Sequence, residues 1–190
     1  MALGTGVGHF WGCEIEIEGG YLKLDGRNLS SARLFLGGRH GSTVTGTANV
    51  LMAAVLAEGR TVIDSAACEP EIEDLCKMLV KMGAKIEGIG SHVLRIEGVT
   101  RLSGCRHTVL SDRIEAGTYI LGTAMLGGEV RIHGAVDRHL NALLDKLDNA
   151  GVHAVIESED VIRVTRNSES LRPVDIITLP FPGFPTDLQA

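Results

Sequence analysis

Residues 52–98 read MAAVLAEGRTVIDSAACEPEIEDLCKMLVKMGAKIEGIGSHVLRIEG, and residues 122–164 read GTAMLGGEVRIHGAVDRHLNALLDKLDNAGVHAVIESEDVIRV. Laid side by side, the two stretches are copies of one pattern. Gly59 falls on Gly128, and Val62-Ile63 falls on Val130 to Ile132. Leu79 falls on Leu147, Gly83 on Gly151, and VLRIEG on VIRVTR, so the offset is 68 to 69 residues. Self-similarity at a fixed period means a repeated supersecondary unit.

Each copy gives the same element order. An Ala/Leu-rich helix comes first, over about 45–57 and 115–126. It is apolar nearly all round, which predicts a buried helix, and a Gly closes it. A short strand follows, TVIDSA or EVRIHGA. The next helix is amphipathic: about 70–82, with Ile72, Leu75, Leu79 and Met82 on one stripe, and about 138–149, with Leu140, Leu143, Leu144 and Leu147. Gly83 and Gly151 end these helices. Two strands finish each unit, AKIEGIG with VLRIEGV and HAVIES with VIRVTR. The unit is therefore helix-strand-helix-strand-strand, and the fold class is α+β with short, mixed strands.

Outward from the two copies, CEIEIEGGYLKLDG at 13–26 is a hairpin like the pair that ends each unit. At the other end, PFPGFPTDLQA at 180–190 resembles the entry to a further unit, with Thr186 or Asp187 as a helix cap. A break near TRLSGCRHTVLSDR separates a domain at 1–108 from one at 109–190.

Composition limits the function classes. The formal net charge is −6 with no long basic run, which argues against nucleic-acid binding. No apolar run approaches membrane-spanning length, and MALGTGVGHFWG at the start has neither the basic nor the apolar region of a signal peptide. Only 4% of residues are aromatic, so the core is aliphatic. Cys13, Cys68, Cys76 and Cys105 form no CxxC pair and match no zinc spacing; they read as free buried thiols of a reducing cytoplasm. The histidines His40, His92, His107, His133, His139 and His153 read as scattered loop or surface positions with no metal spacing.

Five stretches, TVTGTANVLMAAVLAEG, AACEPEIEDL, LSDRIEAGT, LDKLDNAG and PFPGFPTDLQA, give the chain a resemblance to the enolpyruvyl transferases. The resemblance spans almost the whole chain. It implies inside-out α/β repeats with buried helices, three per domain. It also implies a middle piece of a longer family sequence. Residues 1–108 correspond to part of the second domain and residues 109–190 to part of the first.

The activity it implies is transfer of the enolpyruvyl group of phosphoenolpyruvate to the 3-hydroxyl of UDP-N-acetylglucosamine, with release of phosphate, in the cytoplasm. The expected partners are these two small molecules and the remainder of the family sequence. No metal, no organic cofactor, no nucleic acid and no membrane are expected. Transfer to shikimate 3-phosphate is the alternative within the family, and a non-catalytic binding module of the same fold is the alternative outside it.

Such chemistry needs a base near the hydroxyl and positive groups for carboxylate and phosphate. By resemblance, Asp187 of FPTD is the general base, and Asp112 with Arg113 lies near an interdomain cleft. On local grounds Asp112 is also an N-cap, with Glu115 as capping-box partner. Glu69 and Glu71 flank Pro70, where acids favour helix initiation; the resemblance has them face the cleft. Thr43, Val44 and Thr45 open a helix whose free N–H groups suit a phosphate, and the resemblance has them contact the nucleotide. Many family members carry Gly at the position of Thr45 and Lys near Gly41, with Arg39 and His40 as substitutes in charge here. The family's mobile cysteine loop, a Lys-Asn pair and arginines beyond Asp187 have no counterpart in the sequence, and Cys13 is not that loop cysteine.

Overall fold

The computed structural model describes residues 11–166 and 170–189. All but the last two residues of MALGTGVGHFWG lie outside them. The chain divides into two compact units, residues 1–108 and 109–190.

In the first unit, β1 (Glu14–Glu18) and β2 (Tyr21–Asp25) form an antiparallel hairpin. Its two-residue turn is Gly19-Gly20, with φ of 58° and 87°, the left-handed geometry that a tight hairpin turn of this hand requires. Next come β3 (Arg33–Phe35) and a small ribbon of β4 (Gly37–Gly38) with β5 (Gly41–Ser42), which the sequence did not reveal. Helix α1 (Val44–Ala54), β6 (Arg60–Asp64), α2 (Pro70–Lys81), β7 (Lys85–Glu87) and β8 (Val93–Glu97) follow. The sheet order is β3-β6-β8-β7, with β3 parallel to β6 and the other pairs antiparallel.

The second unit contains α3 (Arg113–Leu126), β9 (Gly128–His133), a 3-10 turn at Asp137–His139, α4 (Asn141–Ala150), β10 (His153–Ser158) and β11 (Val161–Arg166). Its sheet order is β10-β11-β9, all antiparallel. This is the order β7-β8-β6 of the first unit, so the repeat read from the sequence is also a repeat of topology. One difference lies in the second amphipathic helix. The stretch 138–149 is not one helix: Leu140, with φ of −122°, separates the 3-10 turn from α4. The Leu140 side chain is buried, so packing rather than helix continuity sets its backbone.

Each unit has its own aliphatic core. In the first, Leu51 of α1, Val55 just after it and Ile63 of β6 meet Ile72, Cys76 and Leu79 of α2 and Leu94 and Ile96 of β8. In the second, Ile120, Leu143, Leu147, Val152, Ile162 and Val164 are joined by Phe184 and Leu188. The leading helices bury one stripe rather than the whole circumference. Helix α3 buries Ala116, Gly117, Ile120 and Ala124 and exposes Tyr119, Met125 and Leu126. Helix α1 buries Thr47, Leu51 and Ala54 and exposes Met52.

Two expectations about single residues change. His107 is a loop residue, as read, but its side chain is not at the surface. Its side chain is 7% exposed, with Nε2 3.0 Å from Asp74 Oδ2 and Nδ1 3.2 Å from Lys81 Nζ. With the Ser103 amide donating to the Met82 carbonyl (2.8 Å), it straps the segment after β8 along α2. The four cysteines are all free, but only Cys13 and Cys76 are buried; Cys68 is half-buried and Cys105 exposed.

Candidate active site

The candidate residues fall in both units, and each group has its own local cause. In the second unit, Asp112 is the N-cap of α3. Its Oδ1 accepts from the amides of Ile114 (2.7 Å) and Glu115 (3.2 Å), satisfying two donors that a helix start leaves open. Arg113 opens the helix, half-buried, with its guanidinium carbon 5.5 Å from the centre of the Phe181 ring.

Asp187 lies in a single 3-10 turn, Thr186–Leu188, entered through Pro185. Neither Thr186 nor Asp187 is the cap; Pro185 holds that position and makes no side-chain cap bond. The Asp187 side chain is therefore not spent on a cap, and the residue is exposed. The turn is anchored by its neighbour. Leu188 is buried against α3 at Gly117, where a Cβ would come within 2.5 Å of Leu188 Cδ1. Upstream, the Leu179 amide donates to the Phe184 carbonyl (3.0 Å) and the Gly183 amide to the Pro180 carbonyl (2.8 Å), folding 179–184 back on itself. Gly183 is required by this close approach, since a Cβ there would meet Leu179 Cβ at 2.5 Å.

In the first unit, Thr43 is the N-cap of α1, its hydroxyl accepting from the Gly46 amide at 3.2 Å. The Thr43 carbonyl accepts from both the amide and the hydroxyl of Thr47. Thr47 is fully buried and its hydroxyl also accepts from the Ala67 amide (3.0 Å), tying the start of α1 to the approach of α2. Val44 is half-buried and Thr45 exposed at this helix start. At the start of α2, Glu69 is the buried N-cap residue, with its carbonyl accepting from Ile72 and Glu73, whereas Glu71 is exposed. Burial, with the charge of Glu69 adding to it, raises the thiol of adjacent Cys68 above its ordinary value. Glu69 and Glu71, read as an equivalent pair, thus have different surroundings.

The structure brings Asp112, Arg113 and the 179–188 turn together around the start of α3. It brings Thr43, Val44 and Thr45 to one end of α1, and links that end through Thr47 to the approach to Glu69. Sequence reasoning missed Phe181 and the Leu188–Gly117 contact. A glycine inside the helical stretch RIEAGTYIL was the available signal.

This fold, with an aspartate-bearing turn held on the first helix of a repeat unit, defines an α+β protein of the enolpyruvyl transferase type. The chain belongs to the family of EPSP synthase (3-phosphoshikimate 1-carboxyvinyltransferase), whose model it matches over residues 10–190. It is 49% identical over 185 residues to a UDP-N-acetylglucosamine 1-carboxyvinyltransferase of Rhodopseudomonas palustris (strain TIE-1), and 50% identical over 185 residues to one of Afipia carboxidovorans. Each alignment covers 94% of this chain and 41% of the relative, so the chain spans about two-fifths of the length of these curated relatives. Among solved structures, the enolpyruvyl transferase NikO from Streptomyces tendae matches with a TM-score of 0.79 at 21% identity, over 94% of this chain and 45% of NikO; at that identity the likeness is one of fold.

Proposed function

We propose that the chain forms part of an enzyme that moves the enolpyruvyl group of phosphoenolpyruvate onto the 3-hydroxyl of UDP-N-acetylglucosamine, releasing phosphate, in cytoplasmic peptidoglycan synthesis. The observation that carries this reading is Asp187: an exposed carboxylate, not used as a cap, on a turn fixed to α3 by Leu188. Such a group is suited to take the proton of the sugar 3-hydroxyl as that oxygen bonds to the enol carbon. Arg113 offsets negative charge beside it, while Asp112 fixes the helix start that presents Arg113. The α1 start, with Thr43, Val44 and Thr45, serves the nucleotide portion, and Glu69 and Glu71 border the substrate. Residues 1–108 belong to one domain of the whole enzyme and 109–190 to the other. The groups for phosphoenolpyruvate come from the rest of the family sequence.

The names of the relatives support the UDP-sugar over shikimate 3-phosphate. Calorimetric titration of the chain with each compound tests this choice: binding of shikimate 3-phosphate in preference to UDP-N-acetylglucosamine would overturn it. In a chain spanning the relatives' full length, Asp187→Asn is expected to slow phosphate release by about 10²–10⁴-fold. An unchanged rate would remove Asp187 from the role of base. Among the described residues no helix is long and apolar enough to cross a membrane.

A further inference from the structure

Arg113 and Gly117 are four residues apart on α3, and so lie one turn apart on the same helix face. Each receives one residue of the 179–188 segment. The Phe181 ring lies 5.5 Å from the Arg113 guanidinium carbon, within the range of a cation–π contact. Leu188 fills the space that the missing Gly117 side chain leaves, and Leu143 of α4 closes the same space. The Leu179–Phe184 pairing closes the loop that carries Phe181, and Asp187 sits next to the second contact.

We propose that Phe181 is a positioning residue: with Leu188 on Gly117 it makes a two-point clamp that holds the Asp187 turn on the first turns of α3. The role in catalysis rests on the function proposed above; the clamp itself does not. One contact alone leaves the segment free to pivot about it, whereas two contacts a helical turn apart fix both place and direction. Displacement of a reacting group by about 1 Å costs on the order of 10²-fold in rate, so fixing this turn has a catalytic consequence. The clamp also orders Arg113, because a ring face below the guanidinium restricts a side chain that otherwise carries large rotamer freedom.

Amide hydrogen exchange of this chain tests the clamp. The reporters are the amides of Leu179 and Leu188, bonded to the carbonyls of Phe184 (3.0 Å) and Pro185 (3.2 Å). Exchange at both is expected to be about two- to five-fold faster in Phe181→Leu, which keeps an apolar side chain but loses the ring face. Phe181→Trp restores protection. Arg113→Met also accelerates exchange, and the Phe181→Leu/Arg113→Met double variant is slower than the product of the two single effects predicts, because the two variants share the ring–guanidinium contact. Gly117→Ala, which displaces Leu188, loosens the Leu188 amide independently of Phe181. Unchanged amides of β11 in every variant show that the second unit stays folded. Unaltered exchange in Phe181→Leu, or strict additivity in the double variant, overturns the clamp. Calorimetry with UDP-N-acetylglucosamine separates this from the function: weaker binding in Phe181→Leu with rescue in Phe181→Trp supports positioning of the site. Loosened amides with no binding by any variant leave the clamp standing and overturn the ligand reading.

Discussion

Cys76 is fully buried on the inner face of α2, and burial, with the nearby charge of Glu73 adding, pushes its thiol up to about 11. The thiolate is the reactive form, so at pH 8 Cys76 is both shielded and protonated. Cys105 is exposed. Iodoacetamide at pH 8 is therefore expected to label Cys105 first, Cys68 more slowly, and Cys76 only after unfolding. Mass spectrometry of tryptic peptides reads the order, and early labelling of Cys76 would contradict this packing. Asp112 invites a second test at this scale. Its carboxylate serves two amides, so Asp112→Ala should cost about 1 kcal/mol in chemical denaturation of the second unit. Asp112 was legible because a cap is a local device, written within four residues. The surroundings of Asp187 were not: its turn is placed by Leu188 on Gly117, some seventy residues earlier in the chain. The burial of the loop residue His107 was hidden for the same reason, since its partner Asp74 lies on α2.

Among elements, legibility follows the range of the forces that set the boundaries. The strands HAVIES and VIRVTR coincide with β10 and β11, because short runs holding β-branched residues between turn residues are local signals. The break at Leu140 and the β4–β5 ribbon depend on tertiary packing and pairing, and no local pattern marks them. Gly98, just after β8, shows how tightly the elements meet. A Cβ there would come 1.6 Å from the Ala57 carbonyl oxygen, at the turn after α1. The Gly98 and Val99 amides donate to the carbonyls of Gly59 and Val55, each at 2.9 Å, and lock this approach. The obstacle is backbone and cannot rotate away. Gly98→Ala is expected to cost on the order of 3 kcal/mol or more, in the range of severe overpacking. Thermal and urea unfolding measure it, and a near-neutral effect would mean that strand and helix do not approach this closely.

At the scale of the molecule, the repeat explains why so much apolar surface is uncovered. A repeat unit buries its faces by stacking on its neighbours. On α3, Leu126 is 88% exposed and Met125 70%. The β1–β2 hairpin pairs Ile15 with Leu24 and Ile17 with Leu22 on one face, and Ile17 and Leu24 are each 64% exposed. Contiguous apolar patches of this kind are uncommon on monomers and drive association. The chain is expected to self-associate as its concentration rises. The formal net charge of −6 opposes this only modestly and less so at high salt, where screening shortens its reach to a few ångströms. Sedimentation velocity over a hundred-fold concentration range tests the point. Met125→Glu with Leu126→Glu should shift the distribution toward monomer if the α3 end takes part. Both positions are exposed, so the double variant should unfold like the parent. A parent chain that stays monomeric at every concentration and salt level would show that the exposed faces of α3 and the hairpin do not drive association under those conditions.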